Sequence, residues 1–221
     1  MLTQMSSIPA QTHATVIDGD VIGSRNIADS TIRLDSLCRE LNRRLAAQIE
    51  AEFKRTKGDE IQGLLQLTAD PLKAYLAYAL RANRLPMRWV LVSGLVNKPS
   101  GPATDGDGDA YIRASSLLER MRSSGELLRF ETGQTALDRR LAVFAPWIGA
   151  WIANLTNQQR AVLEVHLLSA PEVTQGKLIA RQAGVTPSVV SKVLNDPTNQ
   201  RMLALLNFIG EDLASAQEGL R

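Results

Sequence analysis

The sequence predicts an α+β fold, a ferredoxin-like sheet domain at 14–130 followed by an all-α domain at 135–221. Three observations predict it. Segments rich in β-branched residues occur only in the first half. They alternate there with amphipathic stretches of helical spacing. Beyond residue 134 the strand signal disappears and helical spacing continues alone.

The first strand is 14–23, ATVIDGDVIG, with Gly23, Ser24, Arg25 and Asn26 as its exit. Residues 1–13 precede it as an expected flexible tail. A helix is predicted over 31–52, where Leu34, Leu37, Leu41, Leu45 and Ile49 recur on one side with Cys38. Arg33, Arg39, Glu40, Arg43 and Arg44 fall off that stripe and read as a solvated face. Residues 53–67 read as a hairpin turning at 57–60, because Gly58 beside Asp59 suits a tight turn. Pro71 opens a second helix carried by Leu72, Tyr75, Leu76, Ala79 and Leu80. Residues 87–96 form the next strand, 97–109 a loop and 110–123 a helix. The resulting order, β-α-β-β-α-β-α, is the ferredoxin-like plan. Residues 124–134 read as a connector.

The second half is helical throughout. Residues 135–155 carry Leu137, Leu141, Phe144, Ile148, Trp151, Ile152 and Leu155, with Pro146 expected to kink or split them. Thr156 and Gln159 have capping-box spacing for a helix running to Leu168. Helices at 178–183, 187–194 and 199–216 follow. Lone His166 reads as a packed residue.

Composition excludes several classes. The 221 residues contain one cysteine and two histidines, so neither an internal disulfide nor a structural zinc site is expected. Aromatic content of 5% gives little support to a base-stacking platform. No apolar run has a membrane span's length, and 1–13 lack a signal peptide's pattern, so a cytoplasmic protein is expected. The formal charge of +2 names no polyanionic partner, so any nucleic-acid reading must rest on a local motif.

Such a motif lies at 176–195, GKLIARQAGVTPSVVSKVLN, with helix-turn-helix spacing. Ala180 is small where two helices would cross, and Gly184 suits the positive φ of the turn. Val185 and Val190 would pack the second helix, Thr186 would cap it and Pro187 would open it. The window 174–195 carries three cations and no carboxylate, the bias that phosphate contact requires. Gln175, Lys177, Arg181, Thr186, Ser188, Ser191, Lys192 and Asn195 are the candidate DNA-contacting residues. Residues 155–166 also resemble the helix before the helix-turn-helix in sigma-region-4-like domains. Double-stranded DNA is the expected partner, bound by a homodimer; the bland alternative is a trihelical packing module.

The first half carries two acidic motifs. Asp18 and Asp20 alternate on the first strand, so both point to one face. Asp59 and Glu60 lie on the neighbouring hairpin, where Asp20 and Asp59 would meet one divalent ion beside a phosphate. Taken singly, these Asp-Gly pairs read as ordinary turns. In order, VIDGDVIGSR, TKGDEIQGLL, MRWVLVSGLV and DGDGDAYIRASSLLE resemble the signature segments of class III nucleotide cyclases and GGDEF palm domains. Through GDVIGSRNI, the Leu41–Asn42 helix and GDEIQGLL, residues 14–123 most resemble the SatD-like family.

The resemblance implies a metal site of Asp20 and Asp59, with Asp18 and Glu60 beside them, for Mg²⁺ or Mn²⁺. It implies nucleotide contacts at Gly23, Ser24, Arg25, Arg55, Lys57 and Asp105, with Arg55 in the base-reading place and Asp105 its acidic partner. One departure stands out. Cyclases place a phosphate-stabilising Asn and Arg on the last helix, and the matching positions here are Ile112 and Ser116. Losing such donors costs several kcal/mol of transition-state stabilisation. Arg113 lies about 100° around the helix from Ile112 and does not replace them. The expected function is therefore a DNA-binding regulator whose cyclase-like domain binds a nucleotide or metal-phosphate ligand. A divergent cyclase or nucleotidyltransferase, and a non-catalytic scaffold, are the alternatives.

Overall fold

The computed structural model describes residues 11–56, 58–82, 84–169 and 175–220. Strand β1 (Gln11–Val21) lies at the centre of a five-stranded sheet of order β2-β3-β1-β4-β5. It pairs antiparallel with β3 (Glu60–Gln66) on one side and β4 (Met87–Asn97) on the other. β2 (Ile49–Arg55) continues antiparallel from β3, completing the β-α-β-β-α-β order expected from the sequence. β1 begins at Gln11, so Gln11–His13 belong to the sheet rather than to a tail, and 1–10 lie outside the described residues.

Alternation along β1 divides the core between the sheet's two faces. Ile17 and Val21 join Leu34, Leu41, Leu72 and Trp89 beneath α1 (Ser30–Arg44) and α2 (Pro71–Ala79). Ala14 and Val16 join Leu64, Val90, Val92, Ala110, Ala114 and Leu118 beneath α3 (Asp109–Ser124). Asp18 and Asp20 continue that second row and are therefore buried under α3.

α1 ends at Arg44, well before the expected residue 52. Ile49 fits the helical stripe but lies opposite Leu65 in β2, where pairing with β3 supplies its backbone partners. β2 is an edge strand, and the Asn42 side chain of α1 satisfies it. Asn42 Oδ1 accepts from Phe53 N at 2.7 Å, and Nδ2 donates to Phe53 O at 3.1 Å.

The expected connector contains β5 (Leu128–Glu131), parallel to β4 with Leu128 beside Trp89. Four residues are too few to show a period in the sequence; burial of Leu128 and Phe130 against β4 decides their conformation. α4 (Thr135–Asn154) continues through Pro146 without a break. Pro146 is exposed, and Ala142, whose carbonyl loses its helical donor, is only half-buried.

α5 (Asn157–Leu168) begins with the predicted capping box of Thr156 and Gln159. α6 (Gly176–Ala183), α7 (Pro187–Leu194) and α8 (Pro197–Glu218) complete the chain. Ile148, Leu163, Ile179, Val190 and Ile209 share one apolar core with Ile17 and Trp89. Buried polar bonds join the two halves. Arg160 of α5 donates to Ala79 O at 3.1 Å and also to Ile152 O. Gln217 of α8 donates to Ala69 O at 2.9 Å.

Candidate functional site

The end of β1, the turn after it and the β2–β3 hairpin build one cleft of about 760 Å³. Asp20, Gly23, Ser24, Arg25, Asp59 and Glu60 all line it, six of the ten metal and nucleotide candidates singled out from the sequence. Backbone pairing does the gathering. Asp20 faces Glu60 across β1–β3, and Val21 N donates to Asp59 O at 3.1 Å. Gly23 takes φ 66°, a left-handed conformation that turns the chain into a short 3₁₀ helix at Ser24–Asn26. Ser24 Oγ then donates to Asp59 Oδ2 at 2.5 Å.

Two arginines not picked out from the sequence complete the cleft. Arg88 stands opposite Asp20 in the β1–β4 register and donates to its Oδ2 at 2.9 Å. Arg122, from the last turn of α3, reaches both Asp20 oxygens at 3.3 Å and also binds Glu60. The bonds from Asp20, and then those from Glu60, raise the Arg122 pKa. The register predicts the Arg88 pairing once β1 and β4 are aligned. The reach of Arg122 depends on how α3 lies on the sheet and has no local signature.

Asp18 faces an adjoining cavity of about 530 Å³ with Thr56, Glu60, Gln62 and Arg122. It is 5% exposed, and its Oδ1 has no hydrogen-bond partner; neither does the buried Oγ1 of Thr56. Burial pushes the Asp18 carboxyl up to about 7, Gln62 opposes this with a hydrogen bond, and the Glu60 charge adds to the rise. An unpartnered carboxylate oxygen and an unpartnered hydroxyl, which can donate or accept, share one recess and leave hydrogen-bonding capacity for a polar occupant.

The donor chemistry fits a hard cation only after a rearrangement. Mg²⁺ and Mn²⁺ take oxygen ligands, which Asp18, Asp20 and Asp59 supply. Both Asp20 oxygens are already engaged by guanidinium groups. Among the described residues, no three His, Cys, Asp or Glu side chains stand ready to hold a metal.

The other expected nucleotide contacts are placed differently. Arg55 turns to Asp35 of α1, with Nε 3.1 Å from Oδ1. Asp105 ends a short 3₁₀ turn and accepts from Thr104 Oγ1 at 3.2 Å. Lys57 lies outside the described residues. Ile112 is 68% exposed, and Arg113 is committed to Asp109, Glu131 and Ser93 O. Burial pushes the Cys38 thiol up to about 12, which removes it as a nucleophile at neutral pH.

In the helical half, Ile179 and Ala180 of α6 and Val190 and Val193 of α7 are buried. Gly184 takes φ 65° between these helices, and Val185 N donates to Ala180 O at 3.0 Å. Gln175, Lys177, Arg181, Thr186, Ser188, Ser191, Lys192 and Asn195 are all exposed. Thr186 occupies the N-cap position without capping; its hydroxyl bonds Ser188 Oγ at 2.8 Å. His166 is exposed rather than packed, because it falls on the outer side of α5.

No known protein family and no curated protein matches the chain in sequence. Solved structures similar to it include two of a bacterial light-regulated adenylyl cyclase, each 16% identical, with TM-scores of 0.41 and 0.40. Each match covers 57% of this chain and 44% of that one, so the chain spans less than half of those cyclases. The guanylyl cyclase Cya2 is 13% identical with a TM-score of 0.37, over 51% of this chain and 72% of that one. Strand order and register, not these similarities, define the fold described above. Among the described residues no helix is long and apolar enough to cross a membrane.

Proposed function

We propose that this protein is a DNA-binding transcriptional regulator whose sheet domain binds a nucleotide or metal-phosphate ligand. One observation carries the DNA half. The outer face of α7 and the adjoining end of α6 are exposed, polar and cationic, while their inner faces are buried around a glycine turn. A helix-turn-helix presents such a face to the major groove, with Ser188, Ser191, Lys192 and Asn195 toward base edges and phosphates. Lys177 and Arg181 would add phosphate contacts, and a homodimer would read two half-sites.

The ligand half rests on the orphaned Asp18 and Thr56 oxygens and on the arginines around Asp20. An arriving phosphate offers Arg122 a better partner than Asp20. Asp20 Oδ1 is then released toward Mg²⁺ or Mn²⁺ shared with Asp59, while Arg88 keeps its hold on Oδ2. Without the phosphate-stabilising pair, and with Ile112 in the solvent-facing place, such a site favours binding over turnover. This agrees with the SatD-like and cyclase-like resemblance of the segments that build the cleft.

Duplex DNA affinity measured at two salt concentrations tests the reading. Affinity falls steeply with salt, and Ser191→Ala with Lys192→Ala weakens it and flattens the salt dependence. Binding untouched by the paired substitution removes α7 as the contact surface.

A further inference from the structure

A second cleft, of about 680 Å³, lies at the seam between the sheet half and the helical half. It is walled by Arg43 and Arg44 of α1, Lys73 of α2, Glu164 and Leu168 of α5, and Gln182 of α6. None of these residues belongs to the cleft around Asp20 and Asp59.

Charge in the seam is unbalanced. The Arg44 guanidinium is shared between Glu40, at 2.8 Å, and Glu164. Arg43 and Lys73 are exposed, and no carboxylate among the described residues pairs with either. Two cations of different elements, neither paired with a carboxylate among the described residues, therefore face a recess that Leu168 makes partly apolar. Guanidinium and ammonium groups together are a phosphate-recognising set, and the volume suits a small organic molecule. Gln182 lies in the last turn of α6, two residues before the Gly184 turn.

We infer that the seam cleft is a metal-independent binding site for a small organic phosphate, held by Arg43 and Lys73 from the sheet half. An occupant of this site touches the end of α6 and so fixes the helical pair α6–α7 against α1 and α2. The influence on DNA rests on the regulator reading; the binding site does not.

Equilibrium binding of ATP, and separately of inorganic phosphate, to the full chain in EDTA at low salt tests this inference. ATP binds without metal and more tightly than inorganic phosphate. The Arg43→Ala/Lys73→Ala protein loses about tenfold or more in ATP affinity. Its melting temperature without ligand stays unchanged, because both side chains are exposed. Asp59→Asn leaves metal-free binding intact, which separates this site from the acidic cleft. No binding in EDTA, equal affinity for ATP and phosphate, or an undiminished double variant overturns the proposal.

Discussion

Asp20 and Arg122 are 102 residues apart in sequence and meet at 3.3 Å, with Arg88 closing on the same carboxylate at 2.9 Å. Asp20 is only 3% exposed, and these two arginines supply its hydrogen bonds. Arg88→Ala leaves a buried carboxylate with one guanidinium, a loss of about 2 kcal/mol in unfolding free energy. Arg122→Ala destabilises less, because that side chain is partly solvated. Urea midpoints of the two variants give the order; equal effects would show that Arg88 is not the principal partner.

Asp18 makes stability depend on pH. Its folded pKa of about 7 lies above the ordinary 3.8, so between those values the folded chain keeps a proton that the unfolded chain has released. This contribution is most favourable at low pH, declines as pH rises through that window and is flat above it. Asp18→Asn keeps the shape without the charge and removes this decline, which amounts to a few kcal/mol. Denaturation of both proteins at about pH 5 and about pH 8 measures it. Parallel slopes for the two would refute a buried, ionising Asp18.

Arg160 is 7% exposed and bonds two backbone carbonyls, Ala79 O and Ile152 O, rather than a carboxylate. Arg160→Ala strands both acceptors and opens a cavity where α5 meets α2, costing about 3 kcal/mol. Hydrogen exchange should rise first in α5 and at the end of α2. Loss confined to α5 would show that the Ala79 bond contributes nothing.

The acidic cleft predicts a ligand-dependent rise in melting temperature with Mn²⁺ and a nucleoside triphosphate together. Asp59→Asn abolishes the metal-dependent part of that rise. Incubation with labelled nucleotide then shows retention without turnover; a steady accumulation of product would favour the enzyme alternative.

Much of this architecture was legible in the sequence. Periodicity located β1, α2, β4 and α3, because each spans enough residues to show a repeat. It failed at Ile49, where a β residue falls in step with the preceding helix, and at β5, where burial against β4 does what four residues cannot announce. In the cleft, chain order sufficed for Asp20, Ser24 and Asp59, which adjacent turns bring together. Arg122 and Arg160 look like surface cations on amphipathic helices; only the packing of those helices turns them inward. Arg55 shows the converse, a residue matched by motif whose side chain is claimed by Asp35.

The proposed regulator requires ligand in the sheet domain to alter DNA binding by the helical one. Fluorescence anisotropy with a duplex selected from a random pool by the wild-type chain tests it directly, with and without each Mg²⁺–nucleoside triphosphate. One nucleotide should shift the affinity by about fivefold or more, and Asp59→Asn should erase its metal-dependent part. Failure to select any duplex, or one affinity under every nucleotide condition, would contradict the account.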